Sequence, residues 1–315
     1  MTNNTANSNS GCGIYFLSSS SNNSLTNNTA NSNIWYGIYL SSSSNNFLTN
    51  NTLTNNTYNF GIDGYEISHF YQDIDKSNLV DNKPIYYWTN EKNAPNGCKN
   101  AVISDLNNTG FVALVSCDNI TVKNLNLHNN SNGILLVNTT NSKIINNTAN
   151  SNDWEGIYLY SSSNNFLTNN TANSNRYGIY LYSSSTNFLT NNPANSNGWN
   201  GIYLSSSSNN SLTNNTANSN NDAGIYIFYN SNFNEILNNK ILNNSNTGIT
   251  ISNCDPRRYC YDAGNSNNII EDNKISNNGV GIFSQQSNSI INNNFVCGNA
   301  NLDFNYSAWQ YKFWG

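Results

Sequence analysis

Four tyrosines, Tyr158, Tyr180, Tyr203 and Tyr226, recur at intervals of 22 or 23 residues. Trp154 and Trp199 each lie two residues before a glycine, as does Trp35, and Arg176 with Tyr177 fills the equivalent place between the first two. Such a column presents flat aromatic faces beside asparagine and serine. Sugar rings stack on aromatic faces and hydrogen-bond to amides and hydroxyls, so Trp154, Tyr158, Arg176, Tyr177, Tyr180, Trp199, Tyr203 and Tyr226 form a candidate glycan platform. The competing reading is structural: stacked tyrosines stabilise neighbouring strands, as cross-strand aromatic pairs do.

Acid–base chemistry finds less to work with. Glycoside hydrolysis uses two carboxylates about 5–9.5 Å apart. Asp153 and Glu155 flank Trp154, and Asp222 lies two residues before Gly224, but the equivalent positions between them hold Arg176 and Asn200. Acidic residues therefore do not recur in register, and no catalytic residue is expected. Asp255-Pro256-Arg257-Arg258 reads as a salt-bridged loop between Cys254 and Cys260, and isolated aspartates do not make a dense calcium-binding motif.

The six cysteines include no CxxC pair, and there are only two histidines, His69 and His128, and one methionine. Neither a structural zinc nor a soft copper site is expected, nor any cofactor. Cys254 and Cys260 could close a local disulfide, and Cys98 and Cys117 could pair across neighbouring coils. Both would suit an extracellular setting.

Only 9% of the 315 residues are charged and 37% are hydrophobic, against about 25% charged in a typical chain. The 20 Tyr, 13 Phe and 6 Trp argue against disorder. The net charge is −5 and the 12 Lys and Arg form no stripe, so nucleic acid is not an expected partner. No apolar run reaches the ~18 residues of a membrane span. The octet TNNTANSN at 2–9 recurs at 26–33, 168–175 and 213–220. The chain thus begins inside a repeat with no signal peptide, and is expected to be a fragment of a longer protein.

The repeat positions everything above. Gly-Ile followed by an aromatic or apolar residue occurs at Gly13, Gly37, Gly133, Gly156, Gly178, Gly201, Gly224, Gly248 and Gly281, with weaker copies at Gly61 and Gly110. Most gaps are 22 to 24 residues. A second anchor, Leu25, Leu48, Leu167, Leu189 or Leu212, follows its glycine by 11 or 12 residues. In Gly156-Ile157-Tyr158-Leu159-Tyr160 the apolar and tyrosyl positions alternate, as in a half-buried strand. Ser and Asn runs between the anchors suit turns.

One such unit cannot bury its Ile and Leu alone, so units must stack. Helical solenoids fail because Gly, Ser, Asn and Thr are poor helix formers. Leucine-rich repeats fail for want of their several leucines per unit. The expected fold is all-β: a right-handed, single-stranded parallel β-helix of about 12–13 coils of ~23 residues, some ~55–60 Å long, in one domain spanning 1–315. Asn-rich turns fit, because stacked asparagines form hydrogen-bonded ladders. Two interruptions are expected. Residues 64–100 carry many of the charges and suggest a hairpin turning near Asp81-Asn82 or a protruding loop. The second insertion is 252–264. Asn-x-Ser/Thr sequons, for example at Asn50, Asn146 and Asn169, follow from the repeat itself.

The GIYL-SSSNN-LTNNTANSN unit resembles the NosD-type right-handed β-helix repeat of carbohydrate-binding proteins and sugar hydrolases. His69–Trp88, Val115–Leu127 (VSCDNITVKNLNL) and Phe295–Gln310 (FVCGNANLDFNYSAWQ) look like the opening and closing coils of archaeal cell-surface members. The resemblance covers nearly the whole chain. It implies a surface or periplasmic protein, and the family name implies copper handling, which the residues do not support. Runs typical of pectin-degrading hydrolases and lyases are absent. The expectation is a non-catalytic extracellular structural, adhesive or glycan-binding module, with a polysaccharide lyase, hydrolase or epimerase as the alternative and a copper-handling protein as a further one.

Overall fold

A computed structural model describes residues 1–104, 108–252, 267–285 and 288–306. The described chain is almost entirely short parallel strands wound into a β-solenoid. Each Gly-Ile strand pairs with its equivalent one coil on. Ile134, Ile157, Ile179, Ile202, Ile225 and Ile249 make one continuous register, and Ile144, Leu167, Leu189, Leu212 and Ile236 make another on the second sheet. All of these side chains are fully buried, so the two anchors of the sequence unit are the two walls of one core.

The asparagines divide by position within the unit. In each Asn-Asn pair the first is an exposed corner. Asn146, Asn169, Asn191, Asn214 and Asn238 hold φ between 54° and 57°, the left-handed region that asparagine tolerates better than most residues. The second points inward and stacks. The Asn170 Nδ2 donates to Ile144 O (2.7 Å) and to Asn192 Oδ1 (3.1 Å), while its Oδ1 accepts from the backbone N and Nδ2 of Asn147, both at 3.0 Å. Parallel ladders run through Asn165–Asn187–Asn210–Asn234–Asn268 and through Asn197–Asn220–Asn244–Asn278. Within these ladders each buried amide is satisfied by the coils on either side, which is what lets a solenoid interior hold so many polar groups.

Glycine opens each unit because the backbone passes too close for a side chain. A Cβ on Gly156 would lie 2.7 Å from both Ala149 O and Asn175 Nδ2. The two weaker copies are not in register with this position. Gly61 lies opposite Tyr39, and Asn59 occupies the glycine place opposite Gly37. Gly110 likewise falls one residue early, since Val112 pairs with Ile134.

The coils do not form one uninterrupted rod. The first three Gly-Ile-type strands, Ile14–Phe16, Tyr36–Ser41 and Tyr58–Asp63, form a sheet of their own. Ten more, from Lys83–Thr89 to Leu302–Tyr306, form the main stack. Residues 64–100 join the two. Leu79–Val80 continues the first stack, then pairs antiparallel with Lys83–Thr89 through a turn at Asp81 and Asn82, whose φ values of 49° and 64° fit a two-residue hairpin turn. The chain direction therefore reverses where the sequence suggested a hairpin. Most of the 252–264 insertion, with the Cys254–Cys260 pairing, lies outside the described residues. Cys98 and Cys117 are joined by a disulfide, Cα atoms 4.9 Å apart, while Cys12 and Cys297 are free.

The last coil of the first stack abuts the flank of the main stack. Interior residues of the first stack, Ile38, Phe60, Ile62 and Phe70, merge into one buried cluster with Ile85, Tyr87, Phe111, Ala113, Val115, Leu135 and Val137. On strands Phe111–Val115 and Asn132–Val137 the alternate residues Val112, Leu114, Ile134 and Leu136 face the main core instead. These strands are buried on both faces, which explains why they read FVALV and NGILLV rather than alternating with tyrosine. The edge strand Tyr58–Asp63 is covered by residues 129–131: Asn59 N donates to Asn129 O (2.6 Å) and Ser131 N to Phe60 O (2.9 Å).

Candidate glycan-binding cleft

Where docking stops, the outward column of the main stack changes from Ala113 and Leu135 to Tyr158, Tyr180, Tyr203 and Tyr226. The first three rings stack, with centroids 5.1 Å apart at 16° and 4.7 Å apart at 13°, and Tyr226 follows at 5.3 Å and 33°. Tyr160 and Tyr182 stack beside them at 5.4 Å. Much of this column is thus engaged in ring-to-ring contact between coils, as the structural reading of the repeat expects.

Two adjacent hollows open between the stacks. One, about 400 Å³, is lined by Tyr39, Asp63, Trp154, Glu155, Tyr158 and Tyr180, among others. The other, about 530 Å³, is lined by Tyr36, Tyr39, Tyr58, Asp153, Trp154 and Arg176, with Trp35 and Tyr15 at its outer end. Tyr39 and Trp154 belong to both, so the hollows adjoin along one cleft-like seam with aromatic residues from each stack. Glycine at position 61 makes room for it. A Cβ there would lie 2.3 Å from the Tyr39 ring and 2.7 Å from the Tyr36 ring, which sit over that position.

Charged groups concentrate at this junction. The Tyr36 hydroxyl donates to Asp153 Oδ2 at 2.5 Å, bridging the stacks. Asp153 Oδ1 lies 3.8 Å from the Arg176 guanidinium, which sits 3.8 Å from the Trp154 ring centre and 5.2 Å from that of Trp199. Arg176 is thus a cation held between two indole faces and a carboxylate. Burial, then Asp153, pushes the Tyr36 phenol far above its usual range, and burial, then Asp63, does the same to Tyr39. Glu155 is 6% exposed and accepts from Asn132 Nδ2 at 2.5 Å. Burial pushes its carboxyl up to about 8, against the lowering effects of Asn132 and Arg176, so it stays largely protonated at neutral pH.

Of the sequence-selected platform, Trp154, Tyr158, Arg176 and Tyr180 line the cleft. Tyr177 packs against Trp199 and Tyr203, with centroids at 5.0 and 5.4 Å, and Trp199, Tyr203 and Tyr226 lie further along the stack. Sequence reasoning missed the other wall, Tyr36, Tyr39 and Asp63, because it sits more than 90 residues away along the chain. It noted Asp153 and Glu155 but gave them no role, because they do not recur. Among the described residues no three His, Cys, Asp or Glu gather into a metal-binding group, and no helix is long and apolar enough to cross a membrane.

A family profile described as the right handed beta helix region matches residues 1–94, 110–257 and 167–310. No curated protein matches in sequence. Among solved structures, the A-module of the mannuronan C-5 epimerase AlgE6 of Azotobacter vinelandii is similar with a TM-score of 0.54 at 14% identity, covering 94% of this chain and 81% of that one. The AlgE4 A-module of the same organism has a TM-score of 0.55 at 17% identity, covering 94% and 79%. A double mutant of the periplasmic alginate epimerase AlgG has a TM-score of 0.58 at 16% identity, covering 85% and 70%. At these identities the likeness is one of fold.

Proposed function

The chain belongs to the right-handed β-helix family, and from that premise we propose that the cleft between its two stacks binds a segment of a polysaccharide. One observation carries the reading: aromatic residues from both stacks, Tyr39 and Trp154 above all, line the two adjoining hollows together with the polar groups of Asp63, Asp153, Glu155 and Arg176. Aromatic walls with a few convergent polar groups are what a sugar chain needs from a binding site. The Cys98–Cys117 disulfide supports placement outside a reducing cytoplasm. Copper handling of the NosD type has no donor cluster among the described residues to support it.

Affinity electrophoresis or calorimetry against a panel of soluble polysaccharides tests the proposal. Trp154→Ala and Tyr39→Ala should each weaken binding at least tenfold. Phe188→Ala, exposed on the other sheet and stacked only on Phe166, should not. Equal effects of all three, or none, would refute it.

A second reading is favoured by Glu155 alone. A carboxyl kept protonated near neutrality on the wall of a cleft can serve as a general acid. The structural neighbours named as alginate epimerases lend the fold-level analogy for a polysaccharide-active enzyme. Appearance of reducing ends, unsaturated uronates or epimerised residues, abolished by Glu155→Gln, would establish it.

A further inference from the structure

The cleft carries more acidic than basic side chains. Three carboxylic acids line it, Asp63, Asp153 and Glu155, and Arg176 is the one basic side chain among its described lining residues. Arg176 is already committed: Asp153 pairs with it and Trp154 lies 3.8 Å beneath it. Asp153 in turn takes the Tyr36 hydroxyl. Asp63 has no cation within ion-pair reach among the described residues, and its Oδ1 is buried without a hydrogen-bond partner. The Tyr39 hydroxyl lies within hydrogen-bonding reach of the same carboxyl, so what Asp63 brings to the cleft is an acidic group with no cation to balance it. Tyr39, next to Asp63, and Tyr158 and Tyr160 supply the walls around it.

We propose that Asp63 makes this cleft select against anionic glycans: its ligand is a polysaccharide segment free of carboxylates that offers a hydroxyl or ammonium hydrogen to the Asp63 carboxylate. The inference rests on the glycan reading above and specifies its ligand class. A polyuronate carries a carboxylate on every residue. Threading it past Asp63 brings like charges together in a partly desolvated space, where screening by water is weak. A neutral or amino-sugar chain meets no such penalty, and an ammonium would pair with Asp63 directly. The cleft thus differs in ligand preference from what the names of its structural neighbours suggest, although the scaffold is shared.

The test compares three soluble probes of similar length at low salt: a neutral glucan oligomer, a glucosamine oligomer and an oligouronate. The expected result is that the neutral or the amino-sugar oligomer binds at least tenfold tighter than the oligouronate. Raising the salt should narrow the gap by screening. Asp63→Asn, nearly isosteric, should narrow it further by strengthening oligouronate binding and weakening glucosamine binding. Oligouronate binding as tight as or tighter than the others in the unaltered chain overturns the inference while leaving the glycan reading intact. So does an Asp63→Asn variant with an unchanged ratio. Asp63→Ser, read against the same three probes, decides the matter if Asp63→Asn does not fold. Binding of none of the three removes the glycan reading itself, and the inference with it.

Discussion

The Tyr36 hydroxyl donates to the Asp153 carboxylate at 2.5 Å, linking two residues 117 positions apart and one from each β-helical stack. Tyr36 is 3% exposed, and Asp153 also faces Arg176. Hydrogen bonds to charged groups contribute about 1.5–3 kcal/mol. Tyr36→Phe should therefore loosen the junction by an amount in that range without unfolding the main stack. Hydrogen exchange is the suitable readout: the Phe60 and Ile62 amides, which donate to Asn130 and Ser131 across the junction, should exchange faster, and the Leu189 amide should not.

Leu135 is fully buried only because the first stack covers it; its equivalents one and two coils on are the half-buried Tyr158 and Tyr180. Leu135→Lys should detach the first stack while leaving the main stack folded. Limited proteolysis should then cut within residues 64–100 of the variant first. A variant as resistant as the unaltered chain would mean that the docking contributes little.

Adjacent asparagines of one unit should behave oppositely. Asn170→Ala strands buried groups on Asn147, Asn192 and Ile144, and each unsatisfied group costs about 1–3 kcal/mol, so a loss of roughly 3 kcal/mol or more is expected. Asn169→Gly, at an exposed left-handed corner, should be neutral within about 0.5 kcal/mol. Urea denaturation of the two variants compares them directly.

Glu155 makes stability depend on pH. Its carboxyl is raised from 4.5 to about 8 on folding, so between those values the folded state keeps a proton that the unfolded state has lost. Stability should fall as pH rises from about 4.5 towards 8 and level off above it. Glu155→Gln, which cannot ionise, should flatten that part of the profile. Thermal unfolding of both proteins from pH 5 to 9 is the measurement, and parallel profiles would show that Glu155 ionises normally.

The coil, its two apolar columns and its Asn-rich corners were legible in the residues, because each unit repeats the same local requirements. An inward Ile and Leu, a glycine where backbones touch, a left-handed Asn and a ladder Asn recur every 22 to 24 residues, and nearest-neighbour stacking needs nothing more. The hairpin at Asp81-Asn82 was legible for the same local reason. Four of the eight residues chosen for their periodicity, Trp154, Tyr158, Arg176 and Tyr180, line the cleft. A clue to the docking was also present: GILLV at Gly133–Val137, where other units read GIYLY, marks a strand covered on both faces.

What covers that strand was beyond the sequence. Docking is a contact between surfaces that share no register, so no spacing along the chain announces it. Only the tertiary structure folds Tyr36, Tyr39 and Asp63 against Trp154 and Glu155. It turns Asp153 and Glu155, which fail as a repeating motif, into one wall of a cleft. Periodicity reveals what every coil must do, whereas this site is made by the one place where two stacks meet.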